Sequence, residues 1–260
     1  MTQTYWSYLK IDELLSLQEP VSDGPEHDEM LFIIIHQVYE LWFKEVLHEI
    51  DYLKQRLIHN ETPRALHTLK RVLTIFKTLV AQIDILETMT PLEFLSFRDR
   101  LDTGSGFQSF QFRELEFVLG NKSAQAIERY PADHTGRVRL ERRLREPTLW
   151  DAFLRYLDAH GYRTEDDVTE RDVTLPIQPS PSTQRILIDI YRNDPTVAAL
   201  CERLLDLDEG LQEWRYRHVK MVQRTIGTRH GTGGSTGADY LKDTLFTATF
   251  PDLWEIRTEL

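Results

Sequence analysis

Cysteine is almost missing from this chain: Cys201 is the only one in 260 residues. One thiol excludes an intrachain disulfide, a zinc-thiolate site and an iron–sulfur cluster, and it suits a reducing compartment. Excess positive charge is lacking too. Lys and Arg number 31 against 42 Asp and Glu, a net charge of −11, which argues against nucleic acid as the main partner. No apolar run is long enough to span a bilayer, so no membrane partner is expected. The segment Met1 to Leu9 has neither a basic nor an apolar signal region, so a cytoplasmic location is expected. Period-2 alternation is weak throughout, and no internal repeat or clean domain boundary is visible. Residues 1–260 therefore read as a single domain, near the upper size for one core.

What is present is helical periodicity. Leu31, Ile34, Ile35, Val38, Leu41, Trp42 and Val46 form a 3.6-residue stripe, and the spacing predicts a helix from about Pro25 to His59. Thr62-Pro63 stops it and starts the next, carried by Leu66, Leu69, Val72, Leu73, Phe76, Leu79, Val80 and Ile83. Two long helices with a short link predict an antiparallel hairpin. Further helices are expected over Phe107–Leu119, Pro147–His160 and Pro195–Ile226. The stretch Thr164 to Ser182, acidic and then proline-rich, reads as a surface loop. The fold class is all-α.

Three constellations carry chemistry. Phe32 and His36 are i,i+4 neighbours on an apolar helix, with Tyr39 and Glu40 one turn on. Glu45 and His48 make a Glu-x-x-His pair, but no second pair exists for a di-iron bundle, so they read as helix surface. In the second constellation, Arg98 lies among Phe94, Leu95, Phe97 and Leu101. Such an arginine either pairs with Asp99 or Asp102 or grips an anion, for which its planar fork is suited. Gly104 and Gly106 bracket Ser105, and Ser105 or Thr103 could cap the next helix. In the third, Leu211, Trp214, His218, Met221, Val222 and Thr225 share one helix face. His218 must find a partner there, either a carbonyl or a metal. A loop over 227–237 follows, holding five of the 12 glycines. It has no Walker A or Rossmann setting, and reads either as a linker or as a lid whose amides and Thr232 hydroxyl close over a ligand.

Together these pieces resemble the tryptophan 2,3-dioxygenase family. The resemblance lies in Phe32 to Lys44, Leu86 to Gln111, Trp214 to His218, Gly231-Thr232-Gly233-Gly234-Ser235, and Tyr5 with Tyr8-Leu9. It is weakest from about Ala132 to Pro195. It implies an all-helical bundle enclosing a haem pocket, with the Gly-rich loop as lid. It implies haem b as cofactor, with His218 as the axial iron ligand. L-Tryptophan and O₂ would be the reactants and N-formyl-L-kynurenine the product, the first step of tryptophan catabolism by the kynurenine route. His36 would be catalytic and hydrogen-bond the indole N–H, with Phe32 packed on the ring and Phe94 beside it. Arg98 would clamp the substrate carboxylate. Thr232 would contact carboxylate and ammonium, and Ser105 would lie near both haem edge and substrate. Tyr5, Tyr8 and Leu9, within an N-terminal segment 1–20, would reach a neighbouring subunit's pocket in a homotetramer. Phe94 stands where some bacterial members carry tyrosine, and Ile35 where several carry a polar residue. Two other readings fit the same residues: a haem monooxygenase of the same superfamily acting on an indole, and a non-enzymatic helical protein that binds haem or an aromatic.

Overall fold

The computed structural model describes residues 2–24, 26–163, 170–232, 241–242 and 245–260. Proline punctuates the chain, with Pro63, Pro91, Pro181, Pro195 and Pro251 each in the first turn of a helix. There the missing N–H has no intrahelical role and the fixed φ suits helix. The helices in order are α1 (Tyr5–Leu9), α2 (Ile11–Leu15), α3 (His27–Ile58), α4 (Thr62–Leu86), α5 (Pro91–Arg98) and α6 (Phe110–Leu119). They continue with α7 (Ala124–Ile127), α8 (Thr135–Arg145), α9 (Leu149–Ala159), α10 (Pro181–Asn193), α11 (Pro195–Ile226) and α12 (Pro251–Glu255). No strand occurs among the described residues.

The frame is α3, α4 and α11. The α3–α4 link holds Asn60 at φ 59°, a left-handed turn that asparagine tolerates. The pair is antiparallel: the Tyr39 hydroxyl donates to the Leu79 carbonyl at 2.7 Å, and Arg71 meets Glu49 at 2.7 Å. Helix α11 runs parallel to α4, since Gly210 lies against Phe76, Arg217 meets Asp84 at 2.6 Å and Arg224 meets Glu87 at 3.2 Å. The seams between them are apolar. Val46, Ile50, Leu53, Leu69, Val72, Leu79, Leu200, Leu204 and Leu211 are wholly buried. At about 25 cal/mol per Å² of apolar surface removed from water, such side chains supply the main stabilising term. α9 closes one side of α3 with Phe153 and Leu157.

Several outcomes differ from the periodicity reading. Helices α5, α8, α10 and α12 were not read from the sequence; α5 and α12 are short and α8 is rich in arginine. The helix expected from Phe107 starts at Phe110, since residues 106–108 form a 3₁₀ turn. Within the 164–182 stretch, the residues from 170 on are held in place. Arg171 pairs with Asp151 at 2.8 Å, and the Ile177 side chain fills the space a Cβ on Gly120 would take. Gly120 itself, at φ 123°, ends α6 in a backbone conformation other residues rarely adopt. Pro181 and Ser182 already belong to α10.

Polar seams fix the register of the peripheral helices. The Glu114 carboxylate on α6 is fully buried and takes Arg143 at 2.8 Å and Arg139 at 2.6 Å from α8. Glu116, two residues on and so on the opposite side of α6, meets Arg215 of α11 at 2.8 Å, both nearly inaccessible. Removing one partner of such a pair strands a buried charge, which costs about 3–5 kcal/mol.

Candidate active site

Phe32 and His36 face the interior from α3. Their rings lie 4.1 Å apart, as the i,i+4 spacing predicts. The His36 Nδ1 sits 2.7 Å from the Phe32 carbonyl. A carbonyl only accepts, so Nδ1 carries the hydrogen and Nε2 presents a lone pair when the ring is neutral. Burial pulls the His36 pKa below the usual imidazole value, against the opposing pull of the Phe32 carbonyl and the Glu40 carboxylate. The neutral ring is therefore the form present at pH 7, with Nε2 free of any partner among the described residues.

α5 supplies the adjacent wall. Its first turn is set by a reciprocal cap, with Thr90 and Glu93 each holding the other's backbone N–H. This directs Phe94 and Phe97 inward, with ring centroids 5.8 and 5.5 Å from Phe32. Arg98 ends the helix. It pairs with neither Asp99 nor Asp102; instead Nη2 donates to the His230 carbonyl at 2.7 Å. Among the described residues no carboxylate meets this guanidinium. Most of its fork is thus available to an outside anion.

The stretch after Arg98 and the start of the Gly-rich loop meet here. Beside the Arg98–His230 contact, the Thr232 hydroxyl donates to the Gly104 carbonyl. The Ser105 hydroxyl accepts from Phe107 N at 3.3 Å and so caps the 3₁₀ turn, while Ser109 caps α6. Thr103 caps neither. Of the expected lid, residues 233–237 lie outside the described residues.

His218 faces the same interior from α11. Its ring lies parallel to the Trp214 indole, centroids 5.0 Å apart at 6°. It is not a core histidine bonded to a carbonyl, because neither ring nitrogen has a hydrogen-bond partner among the described residues. Burial pushes its pKa down to about 4, and His36 is close enough to add to that effect. Two neutral imidazoles, one from α3 and one from α11, therefore look into one aromatic-walled space, each with an uncommitted nitrogen.

The sequence-predicted residues Phe32, His36, Phe94, Arg98, Ser105, Thr232 and His218 thus come from α3, α5, α11 and two loops. Tyr5, Tyr8 and Leu9 do not join them within the chain. α1 and α2 contain no buried residue, and Tyr5, Tyr8 and Leu9 are 65%, 68% and 42% exposed. Glu45 and His48 lie toward the outside of α3, as expected. Sequence reasoning did not single out Gln111, whose amide donates to both the Glu40 backbone carbonyl and its carboxylate and ties α6 to the His36 turn. The rings of Tyr39, one turn from His36, and Trp214, one turn from His218, sit 6.2 Å apart between α3 and α11, and neither residue was assigned a role from the sequence.

A family model described as tryptophan 2,3-dioxygenase matches residues 1–154 and 180–260. A tryptophan 2,3-dioxygenase of Herpetosiphon aurantiacus is 60% identical over 257 residues, covering 99% of this chain and 98% of the relative. The protein of that name from Anaeromyxobacter dehalogenans is 55% identical, with 99% and 96% covered. One from Nocardioides sp. is 47% identical, with 99% and 94% covered. With the family model spanning most of the chain and relatives matching it nearly end to end, the chain belongs to the tryptophan 2,3-dioxygenase family.

Proposed function

We propose that this chain opens the indole ring of L-tryptophan at C2–C3, inserting both atoms of O₂ to give N-formyl-L-kynurenine, with haem b as cofactor. The observation that carries the reading is the pair of neutral imidazoles facing one aromatic interior, with a carboxylate-free arginine beside it. Among the described residues no three His, Cys, Asp or Glu side chains are placed to hold a metal ion. A single imidazole donor fits a cofactor that brings the remaining iron ligands itself, as a porphyrin does. His218 suits that role because its ring is neutral at pH 7 and its nitrogens are not engaged. Cys201 does not suit it, since the thiol is buried in the helical core and its pKa is pushed up to about 12. When bound, the reduced haem iron supplies the activation of O₂.

The chain's own residues bind and orient. His36 Nε2 accepts the indole N–H, which fixes one end of the substrate. Phe32 and Phe94 pack on the indole. Arg98 pairs with the carboxylate, and the Thr232 oxygen, whose hydrogen is committed to Gly104, accepts from the ammonium. Ser105 borders the cofactor edge. Holding the reacting bond at both ends is worth roughly 7–11 kcal/mol through lost translational and rotational freedom. The exposed apolar arm of Tyr5, Tyr8 and Leu9 contributes to a neighbouring subunit's pocket in a homotetramer. The family's relatives are named dioxygenases, which favours this reading over a monooxygenase of the same superfamily. No helix among the described residues is long and apolar enough to cross a membrane, which accords with a cytoplasmic enzyme.

The test is reaction of the reduced, haem-loaded protein with tryptophan and ¹⁸O₂. N-formylkynurenine carrying two labels is expected; one label means monooxygenation. In parallel, His218→Ala loses the Soret band of bound haem, and a normal haem spectrum in that variant refutes the ligand assignment.

A further inference from the structure

An iron-bound histidine normally donates its second ring N–H to a carboxylate, a backbone carbonyl or water, which locks the plane of the ring. His218 has no such acceptor among the described residues. Its side-chain rotamer does not lock the plane either, because rotation about the Cβ–ring bond is broad. What does restrain it is the Trp214 indole, one turn back on α11, lying parallel at 5.0 Å and 6°. Trp214 is itself wedged. Phe112 of α6 lies at 4.8 Å, Phe43 of α3 meets it edge-on at 6.0 Å and 85°, and Tyr39 at 6.2 Å. The Tyr39 hydroxyl is held by the Leu79 carbonyl. Rings from α3 and α6 thus wedge the indole, and the indole lies against the imidazole.

Trp214 Nε1 is buried without a well-aligned acceptor, and its approach to the Tyr39 hydroxyl pulls that phenol's pKa down against the upward push of burial. What the indole turns toward His218 is its face, parallel to the imidazole.

We propose that Trp214 is a positioning residue for the reaction: by stacking, it sets the plane of the His218 imidazole. This rests on His218 as the iron ligand. His218 would then hold the iron with its ring plane fixed by the indole, and among the described residues no carboxylate meets its N–H. Offset aromatic pairs contribute about 0.5–1.5 kcal/mol beyond burial, so loss of the ring corresponds to about a two- to twelve-fold rise in haem dissociation constant.

The experiment uses the haem-loaded full chain as wild type, Trp214→Phe, Trp214→Met and Phe112→Leu. Resonance Raman of the ferrous form reads the iron–histidine stretch, and electron paramagnetic resonance of the ferric form reads the spread of g values. Trp214→Met should broaden both signals and weaken haem binding by the stated factor, while Trp214→Phe, which keeps an aromatic face, stays close to wild type. Phe112→Leu, which loosens the wedge and leaves the indole, should broaden the signals less; it carries the test if Trp214→Met does not fold. Unchanged line widths in either ring-removing or wedge-loosening variant overturn the proposal, as does a Trp214→Phe as broad as Trp214→Met. His218→Gly supplemented with free imidazole separates the two claims. Restoration of the five-coordinate spectrum by imidazole supports the ligand assignment, and a His218→Gly protein with an unaltered spectrum before imidazole is added removes that assignment, and the proposal with it.

Discussion

Asp208 offers a quantitative test of how the start of α12 is anchored to α11. Its carboxylate, on α11 ten residues before His218, is fully buried. One oxygen accepts Thr249 N at 2.8 Å, Phe250 N at 3.1 Å and Trp254 Nε1 at 2.8 Å, and the other accepts the Gln212 amide at 3.1 Å. Asp208→Ala strands these donors. The Trp254 indole is on the surface and finds water, but Thr249 and Phe250 are buried. Two buried amides at roughly 1–3 kcal/mol each give a loss of about 2–6 kcal/mol, or a fall in Tm of about 5–20 °C for a chain this size. Asp208→Asn keeps one accepting oxygen and loses charge assistance, so a loss of about 1–2 kcal/mol is expected. Urea and thermal unfolding followed by far-ultraviolet circular dichroism measure both, with equal denaturant slopes as the check on two-state behaviour. If Asp208→Ala falls within about 0.5 kcal/mol of wild type, the range of an ordinary surface change, the clasp is not what holds the segment. A stabilised Asp208→Asn would mean that desolvating the carboxylate outweighs its four hydrogen bonds, which equally refutes the reasoning.

Other expectations concern the site and the charge network. Arg98→Ala loses up to two charge-assisted bonds to the substrate carboxylate, about 1.5–3 kcal/mol each, so kcat/KM for tryptophan should fall roughly 10²- to 10⁴-fold. Tryptamine, which has no carboxylate, should be turned over equally by variant and wild type; a matching loss with tryptamine would dismiss the clamp. Lys122 is buried, donates to the carbonyls of Leu144 and Glu146, and is pushed by burial from 10.5 down to about 8. Between pH 8 and 10.5 the unfolded chain binds more protons than the native one, so stability from this group rises with pH across that window and is flat below it. The gain is roughly 3 kcal/mol at most, and the urea midpoint of the wild type should rise relative to that of Lys122→Met with pH only in that range. A pH-independent difference contradicts it. Mixing inactive Tyr8→Ala and Arg98→Ala proteins after subunit exchange should restore part of the activity if each site draws on two chains; no recovery argues against a shared pocket.

The helices that frame the site were legible because their cores are long and periodic. α11 runs from Pro195 to Ile226 as its stripe and terminal signals predict, and the α3–α4 hairpin follows from Pro63 and a three-residue link. Short helices such as α5 and α12 escaped, since five to eight residues carry too few turns for a period to emerge. Site residues were legible as types: a histidine inside an apolar stripe or an arginine among phenylalanines is costly enough to stand out. Their partners were not. That Arg98 ignores Asp99 and Asp102 for a carbonyl 132 positions away is a matter of which loops approach one another.

The order of residues alone therefore determined the all-helical class, the long elements and the chemically unusual side chains, because local propensity and burial energy act through near neighbours. Only the tertiary structure decided that His36 and His218 approach one another from α3 and α11, that burial lowers the pKa of both, and that the Trp214 indole lies parallel to the second ring. Those properties come from desolvation and from contacts between helices far apart in the chain, and no spacing along a single helix encodes them.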